Sequence, residues 1–325
     1  MVTKFQRLSC LVCSIFFIAF LTGCSTPSDE STNYNRGNFI QHKALEVYPT
    51  AYSQGVVAGV QASFGVDISG NFTQTHTVYQ YNIDYCTVDP FGNKVTASAA
   101  VFVGGHSTGN ELPVILYHKG TNVLRSSAPT LSNDGIDSIA SVAALAADPT
   151  LFDVTNTEVN FAILFAAEGN VVVMPDYLGF GSSAWPHPYL HSSTLGTSSV
   201  DALRATRQFS ETHSNFSMSS DDLFLMGYSE GGMAAIASLR EISENHPDIT
   251  VTAVAANAAP LDLTGTVLDN MLANQLRSSP YYVPYIIHTY DYIYDLYDDA
   301  SEYYRAEYVD SIANAITGEI DSDTI

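Results

Sequence analysis

The run Asp222-Leu-Phe-Leu-Met-Gly227-Tyr228-Ser229-Glu230-Gly231-Gly232, with an Ala-, Met- and Leu-rich stretch continuing to Arg240, leaves the chain little choice of local structure. Leu223 to Met226 is a short apolar run of strand length. The run after Gly232 is too long for a strand and rich in helix formers, which predicts strand, sharp turn, helix. A serine at the apex of such a turn has a strained backbone, so Gly227 and Gly231 stand where any side chain would collide with the adjoining strand or helix. Its hydroxyl is held in the open. The N–H of Glu230 opens the helix, where unpaired donors and the helix dipole favour negative charge. A plain glycine-rich turn is the other reading of this five-residue pattern. Its setting between strand and helix favours a nucleophile at Ser229, with the Glu230 N–H as half of an oxyanion hole.

Upstream, Tyr79, Tyr81, Ile83 and Tyr85 alternate with Gln80, Asn82 and Asp84. A turn cluster at 89–93 follows, and Val95, Ala97, Ala99, Val101 and Val103 resume the alternation, which predicts an antiparallel hairpin. Leu112 to Tyr117 reads as a strand feeding His118-Lys119-Gly120-Thr121, a loop that is the natural source of a second oxyanion donor. Helices are predicted at Ile136 to Ala146, Glu158 to Ala167 and Ser199 to Phe209, with strands at Val171 to Met174 and Val251 to Ala256. Between 42 and 74, Gly55, Gly59, Gly65 and Gly70 interrupt any long periodicity, and no regular element is assigned. An antiparallel start followed by alternating strands and helices predicts an α/β fold with a doubly wound, mostly parallel sheet. In such sheets chemistry sits at the carboxyl ends of the strands, where Thr121, Asp176, Ser229 and Asp262 fall. The 325 residues suit one large domain better than two small ones.

Lys4 and Arg7 precede an apolar run from Leu8 to Leu21, too short for a comfortable membrane span and ending in Leu21-Thr22-Gly23-Cys24. This resembles a bacterial lipoprotein signal, which implies cleavage before Cys24, acylation of that cysteine and a lipid-anchored place in the cell envelope, at the outer membrane or periplasmic face. An ordinary signal peptide with a coincident cysteine is the alternative. The expected organisation is a signal at 1–23, a tether and irregular segment at 24–60, a core at 61–263 and a Tyr- and Asp-rich segment at 264–325. That last segment, with Tyr281, Tyr282, Tyr285, Tyr290, Tyr292, Tyr294 and Tyr297, reads either as a helical lid over an apolar pocket or as peripheral helices whose tyrosines face a core. Losing Lys4 and Arg7 takes the net charge from −22 to −24, which argues against nucleic acid and against a basic patch for anionic headgroups. Cys10 and Cys13 leave with the signal, and a lipid on Cys24 would leave no second cysteine for an internal disulfide. No cofactor and no metal are expected.

The elbow Gly227 to Gly232, the 175–181 loop Pro-Asp-Tyr-Leu-Gly-Phe-Gly, the run His187-Pro188-Tyr189-Leu190-His191, Asp201 to Ala205 and Gly120-Thr121 together resemble the secretory lipase family of α/β-hydrolases over roughly residues 75 to 265. The resemblance implies acyl transfer through Ser229 on a small-molecule or lipid ester, with the Thr121 and Glu230 N–H groups as oxyanion donors. The family loop reads Gln-His-Gly-Thr, so Lys119 stands where a histidine is usual, which leaves the backbone donor intact. The family order of the triad is Ser, Asp, His, yet only His246 and His288 lie downstream of Ser229. His246 is roughly 25 Å along the helix at 1.5 Å per residue, and His288 lies in the presumed lid. Asp262 has the position of a triad acid but, with no histidine partner, reads better as a turn residue. His118 belongs to the oxyanion side, and His187 and His191 shape their loop. The expectation is therefore an α/β-hydrolase truncated before its last two core strands, with impaired activity. A serine peptidase of prolyl oligopeptidase type is an alternative, against which no propeller-like repeat precedes the domain. A non-catalytic surface lipoprotein on a hydrolase scaffold is another.

Overall fold

Alternation along the strands builds the fold. In the computed structural model, which describes residues 35–105, 110–131, 148, 157–212, 215–273, 281–309, 312 and 318, seven strands form one sheet. They are β1 (Phe39–Tyr48), β2 (Val78–Val88), β3 (Lys94–Gly104), β4 (Glu111–His118), β5 (Val171–Pro175), β6 (Ser217–Tyr228) and β7 (Ala253–Asn257), in spatial order β1-β2-β3-β5-β4-β6-β7. β2 and β3 pair antiparallel from Val78↔Gly104 to Val88↔Lys94, as the hairpin reading expects. Asp89 closes the turn, its carboxylate accepting the Phe91 and Asn93 N–H groups at 2.9 and 2.8 Å. β1 joins β2, and β3 joins β5, antiparallel; β5, β4, β6 and β7 run parallel.

Successive residues of the central strands feed two cores. Val114, Leu116, Val171 and Val173 pack with Val200, Leu203 and Phe209 of α3 (Ser192–Thr212) and with Ala235 and Ile242 of α4 (Glu230–Asn245). Ile115, Tyr117, Val172 and Met174 face the other way, onto Val56 and Val60 of α1 (Thr50–Phe64) and Ile163 and Leu164 of α2 (Thr157–Ala167). Helices thus cover both faces, and each fully buried aliphatic side chain contributes about 1.5–3 kcal/mol. A run of π-type turn (Leu263–Val267) leads into α5 (Leu268–Leu272), and α6 spans Tyr282–Tyr294. Among the described residues no helix is long and apolar enough to cross a membrane. Cys86 is buried and in no disulfide among the described residues.

Four expectations are corrected. The segment expected to be a tether and irregular as far as residue 60 holds β1 and most of α1. Two glycines do not prevent a helix whose Tyr52, Val56, Val57 and Val60 are buried against the sheet, because packing outweighs propensity. The helix expected at 199–209 begins at Ser192. Its first turns lie against α4 so closely that a Cβ on Gly196 would sit 2.6 Å from the Ala237 carbonyl oxygen, so small polar residues were selected for contact rather than for propensity. The elbow strand is longer than 223–226, because Ser217 and Met218 also pair with β4 across a register shift. The strand expected at 251–256 is β7, two residues later at its start. The signal, Cys24 and the helix expected at 136–146 lie outside the described residues.

Candidate active site

From β4 the chain passes to β5 on one side and then to β6 on the other, so the loops leaving β4 and β6 part in opposite directions and open a crevice at their carboxyl ends. Register puts the two candidate oxyanion elements side by side there, since His118 at the end of β4 pairs with Gly227 of β6.

Ser229 links β6 to α4 with φ 58° and ψ −123°, a conformation costing on the order of 1–3 kcal/mol for a non-glycine residue. It persists because both of its backbone polar groups are engaged: its N–H donates to Asn257 O at 2.9 Å, and its carbonyl accepts from Met233 N at 3.2 Å. A Cβ on Gly227 would lie 2.2 Å from Gly231 O, and one on Gly231 would lie 2.1 Å from His118 O. Ser229 also occupies the N-cap of α4, yet its side chain makes no capping hydrogen bond, so the half-buried hydroxyl is not consumed by the helix.

The loop after β4 is clamped from three directions. Gly120 N–H lies 2.8 and 3.0 Å from the two Glu158 carboxylate oxygens, the Tyr177 hydroxyl donates to Lys119 O at 3.0 Å, and Thr121 Oγ1 meets the Tyr189 hydroxyl at 3.1 Å. The His118 ring is buried between Met226 O (3.0 Å) and Ser238 Oγ (2.9 Å), and burial pulls its pKa down to about 4. It is neutral at physiological pH and braces the β4–β6 seam. Lys119 is fully buried, with its ammonium over the Phe180 ring. A cavity of about 20 Å³ lined by Lys119, Asn122, Ser127 and Glu158 has room for one water and none for a substrate.

Glu230 is more than a backbone donor. Its carboxylate is buried, with Oε1 2.8 Å from His187 Nε2 and 3.5 Å from Leu190 N. His187 Nδ1 lies 2.8 Å from Leu178 O, which can only accept, so Nδ1 carries a hydrogen and one further proton lies between Nε2 and Oε1. This pair pins the 178–191 loop to the elbow. The side-chain role was missed from the sequence, although a lone carboxylate in an otherwise small and apolar run was the available signal.

The remaining candidates fall outside the crevice chemistry. Asp262 is exposed and caps the turn behind it, accepting Gly265 N at 3.0 Å and Thr266 N at 2.8 Å; those bonds, the one from the Thr266 N–H foremost, lower its pKa. Asp176, at the end of β5, is buried on Ser98 Oγ (2.5 Å), Thr130 N (3.0 Å) and Thr130 Oγ1, and burial raises its pKa to about 6. His191 is taken by Thr194 Oγ1 and the Tyr294 hydroxyl, and His246 closes the far end of α4. Of the nine histidines, His106 and His213 lie outside the described residues, and none of the other seven makes a hydrogen bond to Ser229 Oγ. No cluster of metal-ligating side chains occurs among the described residues.

The helical Tyr-rich segment sits on the site loops. Tyr285 of α6 stacks on Tyr189 with centroids 4.5 Å apart and planes at 10°, and the Tyr290 hydroxyl donates to Leu190 O at 3.2 Å. Tyr292 and Tyr294 are exposed. One face of α6 meets a small core of Tyr189, Leu190 and Met233.

Residues 150–273 match the secretory lipase family model. A candidate hydrolase from Legionella pneumophila has a solved structure with TM-score 0.70 and 25% identity, covering 88% of this chain and 69% of that one. The rice cell wall degrading esterase LipA from Xanthomonas oryzae aligns with TM-score 0.69 and 23% identity, covering 89% of this chain and 68% of that one, a likeness that shows the fold. No curated protein sequence matches the chain.

Proposed function

We propose, from the match of residues 150–273 to the secretory lipase family model and from the fold, that this chain is a serine hydrolase of lipase or esterase type cleaving carboxylic esters by acyl transfer through Ser229. The observation that carries this reading is the positive-φ serine at the β6–α4 turn, its hydroxyl unused by capping. Attack by Oγ on an ester carbonyl puts negative charge on the carbonyl oxygen. The Glu230 N–H at the mouth of α4 and the Thr121 N–H beside it are the donors for that charge. The serine proton needs a base held by a carboxylate. No described histidine fills that role, so turnover is expected at the residual level of binding and an oxyanion hole, roughly 10³–10⁴-fold over water.

That no histidine among the described residues meets Ser229 Oγ favours a second reading, a non-catalytic surface lipoprotein on a hydrolase scaffold. p-Nitrophenyl esters of graded chain length, beside the matching p-nitroanilides, separate the possibilities. Ester hydrolysis lost in Ser229→Ala supports the first reading, amide hydrolysis would move the assignment to a peptidase, and rates equal to those of Ser229→Ala would leave the binding role. The proposed location is the cell envelope, with the protein attached by an acylated Cys24 and working on small-molecule or lipid esters.

A further inference from the structure

Residues 119–124 form neither helix nor strand, so side chains must aim the Thr121 N–H. One of them is Tyr189, whose hydroxyl meets Thr121 Oγ1 at 3.1 Å. Tyr189 is buried, and a phenylalanine would fill its place with no polar atom to satisfy, so packing alone does not call for tyrosine there. Burial also pushes the pKa of the phenol up, which keeps it protonated at neutral pH.

The ring of Tyr189 is seated by α6, where the buried Tyr285 stacks on it at 4.5 Å with planes at 10°. The same helix holds the backbone on either side. The Thr289 hydroxyl donates to His187 O at 3.3 Å, and the Tyr290 hydroxyl donates to Leu190 O at 3.2 Å. Leu190 has φ 55°, a strained conformation for a leucine that persists only where the surroundings fix it. His187 in turn lies 2.8 Å from the Glu230 carboxylate. One short loop, gripped by α6, therefore touches both oxyanion elements, Thr121 through Tyr189 and the elbow residue Glu230 through His187. The Tyr285 hydroxyl itself lies 3.5 Å from Asn122 O, at the outer limit of hydrogen bonding, so the hold of α6 on Thr121 runs through the Tyr189 hydroxyl. We propose that Tyr189 is a positioning residue for the oxyanion site and that Tyr285 acts through it: the stacked ring from α6 aims the Tyr189 hydroxyl at Thr121 Oγ1, which couples the docking of α6 to the placing of the Thr121 N–H. This deepens the serine-hydrolase reading and rests on it.

n-Butylboronic acid tests the proposal without needing a general base. Ser229 Oγ adds to boron, the Oγ–B bond forms, the hydroxyl proton passes to buffer and the tetrahedral boronate carries the negative charge. Affinity and thermal midpoint are measured by calorimetry for the full chain and for Ser229→Ala, Tyr189→Phe, Tyr285→Phe, Tyr285→Leu and Tyr189→Phe/Tyr285→Leu. Binding to wild type but not to Ser229→Ala is expected. Tyr189→Phe keeps the stacked ring and should bind about fivefold more weakly at an unchanged midpoint, a loss of the size one hydrogen bond causes. Tyr285→Leu should lose about as much, while Tyr285→Phe, which keeps the ring, should bind as wild type does. The double variant should be no weaker than Tyr189→Phe, because residues that act through one hydroxyl do not add. A stack that served stability alone would lower midpoints and leave the affinity of Tyr189→Phe untouched. Wild-type affinity in Tyr189→Phe, Tyr285→Phe as weak as Tyr189→Phe, or a double variant weakened by the product of the single losses would each overturn the inference while leaving Ser229 in place. A wild type that binds no better than Ser229→Ala removes the hydrolase reading and this inference together.

Discussion

At the residue scale, backbone contact decides what the elbow tolerates. Gly231 sits where a methyl group would meet His118 O at 2.1 Å, against backbone that β4–β6 pairing cannot yield. Gly231→Ala is expected to cost about 1–3 kcal/mol, as overpacking does, read from the urea midpoint. It should also lower the reactivity of Ser229 in any fraction that folds, because the displaced His118–Lys119 backbone leads straight into Thr121. Wild-type stability in this variant would contradict the close approach. Ser229, Glu230 and Thr121 were legible as candidates from five residues and a loop, because each has a backbone role that pattern encodes. Lys119 and the Glu230–His187 pair were not, because burial of a charge depends on contacts 43 and 58 residues apart in sequence.

At the element scale, pattern was readable wherever one side of an element decided it. The β2–β3 hairpin alternates because one residue in two faces each core, and β5 is continuously apolar because both of its faces are covered. The first turns of α3 and the glycines of α1 were unreadable for the opposite reason: small residues there serve close packing, and helix propensity misleads. Asp176 shows how one residue joins elements, since its carboxylate ties β3 at Ser98 to the 128–130 turn at Thr130. An acid whose folded pKa is raised holds its proton more tightly in the fold, so its contribution is full below the free value of 3.8 and is lost as pH rises through about 6. Asp176→Asn removes that dependence. Its stability deficit relative to wild type is expected to be about 3 kcal/mol larger near pH 3.5 than near pH 7 by urea unfolding. A deficit independent of pH would show that the carboxyl is not held in its protonated form.

For the whole molecule, topology concentrates the chemistry. Because strand order reverses at β4, the loops carrying Thr121 and Ser229 leave adjacent parallel strands at the same edge, and α6 closes over them through Tyr285 and Tyr189. With a net charge of −24 after the proposed signal removal, the proposed membrane attachment rests on acylation of Cys24 and not on a basic patch. Cys24→Ser is therefore expected to move the protein from the membrane fraction to the soluble fraction of the producing cells and to abolish incorporation of labelled palmitate. Unchanged membrane recovery would reject the anchor. The central claim is that the hydroxyl at 229 is an accessible nucleophile facing amide donors. Its most direct test is peptide-level mass spectrometry after incubation with a fluorophosphonate: a single phosphonyl adduct on Ser229, absent from Ser229→Ala, is the expected result, and an unmodified Ser229, or an adduct elsewhere that persists in Ser229→Ala, would contradict it.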